Sequence, residues 1–412
     1  MGYDFAAAVA DLVDNSINAN ADEISIDVEF DGDHSRVRIT DNGMGMNAAQ
    51  LEEAMRYGSE RDYDEDNDLG KFGLGLKTAS LSQCEKLSVA SREVKGNEIN
   101  AFCWDLAHIE TTDKWELTIP SSKDLSKILN GGLEHETGTV VLWERLDRML
   151  GQRHPYGETS RKRLATMSRE LEDHLSMVFH RYIDGEIPGR RVKIILSGNE
   201  LKSWDPYARS ELATKRLDPV EFTFEHDERV YQFTIQPYIL PSKDKFSSQQ
   251  EWERASGPKK WNFQQGFYIY RANRMIQSGG WCNLRAPDEH TKLARIALDF
   301  SPQLDDAFGI NVAKMKVLLP KEVRDQMENE VGKISSQARK AYDKKESDNT
   351  GGLPKTRSAP TQRTNPGKPN SGNGQSAWTL DQIQKMLVDS AFEDEVPVVL
   401  KVIQRLRRKL KV

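Results

Sequence analysis

The chain has 412 residues and a formal net charge of −6 at neutral pH. That length exceeds what one hydrophobic core usually holds, so two domains with appendages are expected. No run approaches the roughly 18 apolar residues of a membrane span, and Asp4, Asp11 and Asp14 interrupt the first residues too early for a secretory leader; both features point to a cytoplasmic protein with no membrane partner.

The three cysteines, Cys84, Cys103 and Cys282, show no metal-like pairing and read as buried apolar thiols in a reducing compartment. The net charge hides a segregation. Asp62, Asp64, Glu65, Asp66 and Asp68 crowd one segment, whereas Arg405, Arg407, Arg408, Lys409 and Lys411 crowd the C-terminus, so overall charge alone selects no partner.

In chain order, residues 3–19 carry Phe5, Val9, Leu12, Val13 and Ile17 at helical spacing, and on that predicted helix Asp11 and Asn15 lie four apart on one face. Residues 23–30 and 36–41 alternate apolar and polar side chains as half-buried strands do, with the turn Asp31-Gly32-Asp33 between them. Asp41 therefore falls at a strand end, where Asn42-Gly43-Met44-Gly45-Met46 begins a glycine turn. A short helix over 51–57 and an acidic loop to Asp68 precede Gly70-Lys71-Phe72-Gly73-Leu74-Gly75-Leu76-Lys77, which opens a further helix. Strands are predicted over 87–91 and 139–143. Helix, hairpin, helix and more strands predict an α+β layer with helices on one face of a mixed sheet.

A second block, from about 192 to 320, holds short β-rich segments at 192–196, 220–224, 231–240, 266–270 and 295–300, with helical patterns over 164–180 and 321–342. Residues 347–377 are rich in Ser, Gly, Pro, Asn and Thr, and from Gly351 to Ala377 carry four basic residues and no acid, the composition of a disordered basic linker. Beyond it, 378–388 and 396–410 fit two amphipathic helices, the second with Val399, Val402, Ile403 and Leu406 on one stripe.

The three polar boxes, Asp11-Leu-Val-Asp14-Asn15-Ser16, Asp41-Asn42-Gly43-Met44-Gly45 and Gly70 to Lys77, are each weak alone: a solvated helix face, a type I′ hairpin turn and a structural glycine turn explain them one at a time. In this order and spacing they resemble the N box and glycine boxes of the GHKL ATPases, the group of gyrase, heat-shock chaperones, histidine kinases and MutL. The wording Asp-Asn-Ser-Ile-Asn-Ala, the run from Leu69 to Ser80 and Gly138-Thr139-Val140-Val141-Leu142-Trp143 look most like MORC-type and related bacterial proteins. The resemblance, which covers about residues 3–320, implies a two-layer α/β sandwich ATPase domain over residues 1–185 and a transducer-like α+β domain over 186–342, while composition and spacing give the linker over 343–377 and the helical segment over 378–412. Because members of this group carry a segment before the first helix, the resemblance also implies a truncated or misassigned start.

ATP and Mg²⁺ are the cofactors it implies. Asp11 would polarise the attacking water, at a position where most relatives have the longer glutamate, and Asn15 would ligate Mg²⁺, which prefers hard oxygen donors. Asp41 would accept a hydrogen bond from the adenine amine, Gly43, Gly45 and Met46 would line the base, and Thr139 would complete that network, unless it is an ordinary strand threonine. Gly70, Lys71, Phe72, Gly73, Leu74 and Gly75 would place free helix N–H groups against phosphate, with Lys77 adding charge. Residues 57–68 would be the lid. Lys314, in Asn311-Val312-Ala313-Lys314, resembles the lysine that reaches the γ-phosphate from the second domain; Lys316, on the same strand face, and a plain surface lysine stay open alternatives.

The expected activity is Mg²⁺-dependent ATP hydrolysis that gates homodimerisation and acts on DNA by analogy with relatives. The basic tail would bind phosphates or dock a protein partner through its last helix. A nucleotide-gated adaptor with negligible turnover is the alternative. A histidine kinase is disfavoured by the lack of a phosphoacceptor helix before the boxes, and a heat-shock chaperone by the lack of a long charged linker and large middle domain.

Overall fold

The computed structural model describes residues 4–56, 75–94, 98–133, 137–150, 156–226, 229–305, 308 and 319–349. Gly70, Lys71, Phe72, Gly73, Leu74, Lys314, Lys316, the expected lid and everything after residue 349 lie outside the described residues. Residues up to Gly351 form one compact unit.

In chain order the first layer contains α1 (Phe5–Asn18), β1 (Glu23–Glu29), β2 (Arg36–Asp41), α2 (Ala48–Met55), α3 (Gly75–Gln83), β3 (Lys86–Arg92), β4 (Asn100–Asp105), α4 (Leu106–Thr112), α5 (Ser122–Leu129), β5 (Gly138–Glu144) and α6 (Asp147–Leu150). Next come α7 (Glu158–Val178), α8 (His180–Asp184), β6 (Lys193–Leu196) and β7 (Asn199–Glu200). The second layer contains β8 (Lys215–Arg216), β9 (Val220–His226), β10 (Arg229–Ile239), α9 (Gln249–Ala255), α10 (Lys260–Gln264), β11 (Gly266–Arg271), β12 (Arg274–Ser278), β13 (Ala294–Phe300) and α11 (Lys321–Asn349).

The first sheet runs β4-β3-β5-β2-β1-β6-β7. Its register follows the alternation of the sequence: Ile26 opposes Ile39 and Val28 opposes Val37, because a slip by one residue would turn the apolar set of each strand to the wrong face. Helix α1 is buried along nearly its whole length, with Asn15 the exposed exception between Asp4 and Ile17. Its apolar residues Val9, Leu12, Val13 and Ile17 share a core with Ile24, Ile39, Val89, Trp143 and Leu175. The β1–β2 connection is a turn of 3-10 helix over Gly32–His34.

The strand expected to open the second block belongs instead to the first sheet. Lys193–Leu196 pairs in parallel with β1, Ile24 opposite Ile194, and a parallel neighbour requires a long crossover, which α7 and α8 help to supply. The second sheet runs β12-β11-β13-β10-β8, with β9 paired to β10. Strand β11 is buried at every position, as expected for an inner strand covered on both faces. Helix α11 lays Val323, Met327, Val331, Ile334 and Ala338, at spacings of three and four, into this second core. Helix α7 serves both cores: Leu171 and Leu175 face the first, Met177 the second.

Cys84 and Cys103 are buried as expected, whereas Cys282 is partly exposed. Among the described residues, no helix is long and apolar enough to cross a membrane.

Candidate functional site

Strand pairing assembles the first part of the site. Asp41 at the end of β2 opposes Thr139 at the start of β5, and Thr139 opposes Ser91 on β3. Directly opposed residues of antiparallel strands project to the same face, so three polar side chains from three strands form one rung. The Ser91 and Thr139 hydroxyls lie 2.9 Å apart, and the Met46 amide donates to Ser91 Oγ at 2.8 Å. Asp41 is buried at 7% exposure; its Oδ2 accepts from Ser16 Oγ of α1 at 2.8 Å and its Oδ1 from the Gly43 amide at 3.0 Å. Burial raises the Asp41 pKa, against the lowering effect of the bonds from Ser16, Gly43 and Thr139.

The segment after Asp41 is not a hairpin turn, because the next element is helix α2, entered through an Asn47–Gln50 capping box. Asn42 instead pins the α1–β1 connection: its Oδ1 accepts from the amides of Asp22 and Glu23, each at 3.0 Å. Gly45 has φ +67°, and a Cβ there would stand 2.0 Å from the carbonyl oxygen of Arg92. Gly138, at φ +141°, brings its Cα against the backbone of Asp41, where a Cβ would stand 2.1 Å from the carbonyl oxygen. Both positions need a residue without a side chain.

The second part of the site lies on α1. Asp11 is 5% exposed and Asp14 1%, whereas Asn15, on the turn after Asp11, reaches the surface. Burying two carboxylates on successive turns requires compensating charge. It comes from Arg274 of β12, whose Nε lies 2.9 Å from Asp14 Oδ1 and whose Nη2 lies 3.7 Å from Asp11 Oδ1. Helix α3 starts at Gly75, the last glycine of its box, and packs against α1. The Lys77 side chain is buried, and its ammonium donates to the Arg56 carbonyl at the end of α2; desolvation lowers its pKa, with Glu53 opposing.

The structure thus brings Asp41, Gly43, Met46, Gly138 and Thr139 together beside the α1 residue Ser16, with Asp11 and Asn15 on that same helix. Sequence reasoning missed Ser91, whose signal is a serine ending the otherwise largely apolar stretch Val89-Ala90-Ser91, and Arg274, which lies just beyond the strand predicted over 266–270 and has no sequence signal of its own.

Behind α1, His174 of α7 is half-buried with its pKa lowered to about 4, by desolvation first and then by the Arg274 and Lys259 cations, with Asp14 opposing. A group depressed on folding stabilises the fold above its unfolded pKa, here about 6.5, and that contribution is lost as pH falls toward 4. Urea midpoints measured across this window should therefore decline on acidification. His174→Gln should flatten the decline by up to one proton; an unchanged slope would place the proton uptake elsewhere.

Residues 3–139 match the family described as histidine kinase-, DNA gyrase B-, and HSP90-like ATPase. The chain is 30% identical over 129 residues to the chaperone protein HtpG of Clostridium acetobutylicum, covering 28% of this chain and 20% of that one. It is 32% identical over 125 residues to the DNA mismatch repair protein MutL of Rhizobium leguminosarum, covering 29% and 21%, and 36% over 99 residues to MutL of Pasteurella multocida, covering 23% and 16%. The match thus spans about a fifth of the length of these relatives. The ATPase region of Saccharomyces cerevisiae topoisomerase II aligns with 81% of this chain and 86% of its own at 11% identity, with a TM-score of 0.41.

Proposed function

We infer, from the membership of residues 3–139 in the GHKL ATPase superfamily, that the chain binds ATP with Mg²⁺ and hydrolyses it. The observation that carries this reading is the buried rung of Asp41, Thr139 and Ser91 joined through Ser16 to the helix bearing Asp11 and Asn15. A rigidly held acceptor at the end of a strand suits the exocyclic amine of adenine, and Asp41 is held by donors from Ser16, Gly43 and Thr139. Asp11 orients and polarises the attacking water. Asn15, the polar residue that α1 presents to solvent amid buried neighbours, fits a hard cation as a neutral oxygen donor; Mg²⁺ bound there would neutralise phosphate charge. The first turn of α3 and the glycine box before it offer backbone donors to the phosphates, and Lys314 supplies a cation from the second domain.

Nucleotide state would gate dimerisation, with the basic linker and terminal helix holding DNA. A non-hydrolysable ATP analogue should double the mass seen by light scattering, and added duplex should bind without sequence preference, with affinity falling steeply as salt rises, about −0.9 in log–log slope per phosphate neutralised. Replacing Arg405, Arg407, Arg408, Lys409 and Lys411 with Gln should flatten that slope. One mass with and without analogue would remove the gate, and salt-insensitive or absent DNA binding would favour a protein-docking tail.

A reading with little turnover, a nucleotide-gated adaptor, is favoured by one feature: the carboxylate at the water-polarising position is an aspartate, a methylene shorter than the usual glutamate. Single-turnover hydrolysis measured beside binding separates the two.

A further inference from the structure

Arg274 is 4% exposed and belongs to the second sheet, yet its guanidinium lies against α1 of the first layer. The hairpin that carries it is held from several directions. Ala272 and Asn273 both have positive φ, 46° and 66°, as a two-residue type I′ turn requires, and alanine is an unfavourable occupant of that region. Tyr182 Oη donates to the Ala272 carbonyl at 2.9 Å, and Arg181 donates to Asn273 Oδ1 at 3.3 Å while pairing with Asp299. At the end of β11, Arg271 Nε reaches both oxygens of buried Asp305 at 2.7 and 3.0 Å. The Phe179 ring lies under the Arg274 guanidinium at 5.9 Å.

A buried arginine needs one carboxylate, and Asp14 at 2.9 Å provides it. The approach to Asp11 is a second engagement, made by the outer nitrogen Nη2 at 3.7 Å. It falls on the residue assigned to the water, whose short side chain has less reach than a glutamate and so depends more on being held. The base-binding end, Asp41 with Ser16, Ser91 and Thr139, makes its bonds within the first layer.

We propose that Arg274 is the positioning residue of the hydrolytic carboxylate: Asp14 anchors its guanidinium, the guanidinium fixes the Asp11 side chain, and the second sheet thereby sets hydrolytic competence without touching the base. This rests on the assignment of Asp11 to the attacking water. A displacement of the hairpin by about an ångström would change turnover while leaving nucleotide affinity alone, since misplacing a reacting group by that much costs on the order of 10²-fold.

The test uses the full chain with Arg274→Gln, Arg274→Lys and Asp14→Asn, measuring single-turnover hydrolysis, analogue affinity and thermal melting. Arg274→Gln should slow hydrolysis by about 10²-fold with affinity within about threefold of the parent, and Arg274→Lys should recover part of the loss by keeping the charge. Asp14→Asn should give a smaller loss that does not add to that of Arg274→Gln, as expected for residues acting as a unit. Should Arg274→Gln fail to fold, Arg274→Lys carries the test: folded with slowed hydrolysis and unaltered affinity supports the proposal. Unchanged hydrolysis in the folded Lys variant overturns it, as does a parallel fall of rate, affinity and melting temperature. A parent chain that hydrolyses ATP beside indifferent variants removes Arg274 alone; a parent that binds no nucleotide removes the pocket assignment and this proposal together.

Discussion

Asp11→Asn should lower ATP turnover by about 10²–10⁴-fold, the usual cost of losing a general base, while leaving analogue affinity near that of the parent. The amide is nearly isosteric, so the helix keeps its packing, and Arg274 retains Asp14 at 2.9 Å as its counter-ion. The buried cation is therefore not orphaned, and the fold should survive. Single-turnover hydrolysis and analogue titration on the same preparation read the two quantities apart. Turnover equal to the parent would take Asp11 out of the mechanism.

Asp41→Asn should act on the other quantity. Its Oδ1 must still accept from the Gly43 amide, which cannot reverse its role, so the new Nδ2 falls on the side of Ser16. The Ser16 hydroxyl can rotate to accept, and the site then presents a donor where the adenine amine also donates. Losing a hydrogen bond to a charged acceptor costs about 1.5–3 kcal/mol, so ATP affinity should fall by roughly 10- to 10²-fold, with narrowed discrimination against GTP, whose base carries a carbonyl in place of the amine. Burial raises the Asp41 pKa, so ionised Asp41 weighs against stability as pH rises through that value. The neutral amide lacks this cost, and the apo melting temperature should hold. Undiminished ATP affinity with intact discrimination would contradict the adenine assignment.

Local features of the site are legible in the sequence because helices and strands write their periods into neighbouring residues. Spacings of three and four place Asp11 and Asn15 on one helix, and alternation through β1 and β2 leaves Asp41 at a strand end, where the structure has it. The glycines at 45 and 138 mark backbone approaches that no side chain allows.

What only the tertiary structure decided are contacts between residues far apart in the chain. Ser91 meets Thr139 across 48 positions because β3 and β5 pair in one register, and register depends on which apolar faces are buried together, not on either strand alone. The run Lys193–Leu196 could serve either sheet as a short apolar segment; its parallel pairing with β1 is set by the crossover through α7 and α8. Arg274 reads in sequence as one of several arginines, most of which would be solvated. Its partners Asp11 and Asp14 lie more than 250 positions away, and they are joined only because folding removes all three from water, where a buried charge persists next to its opposite.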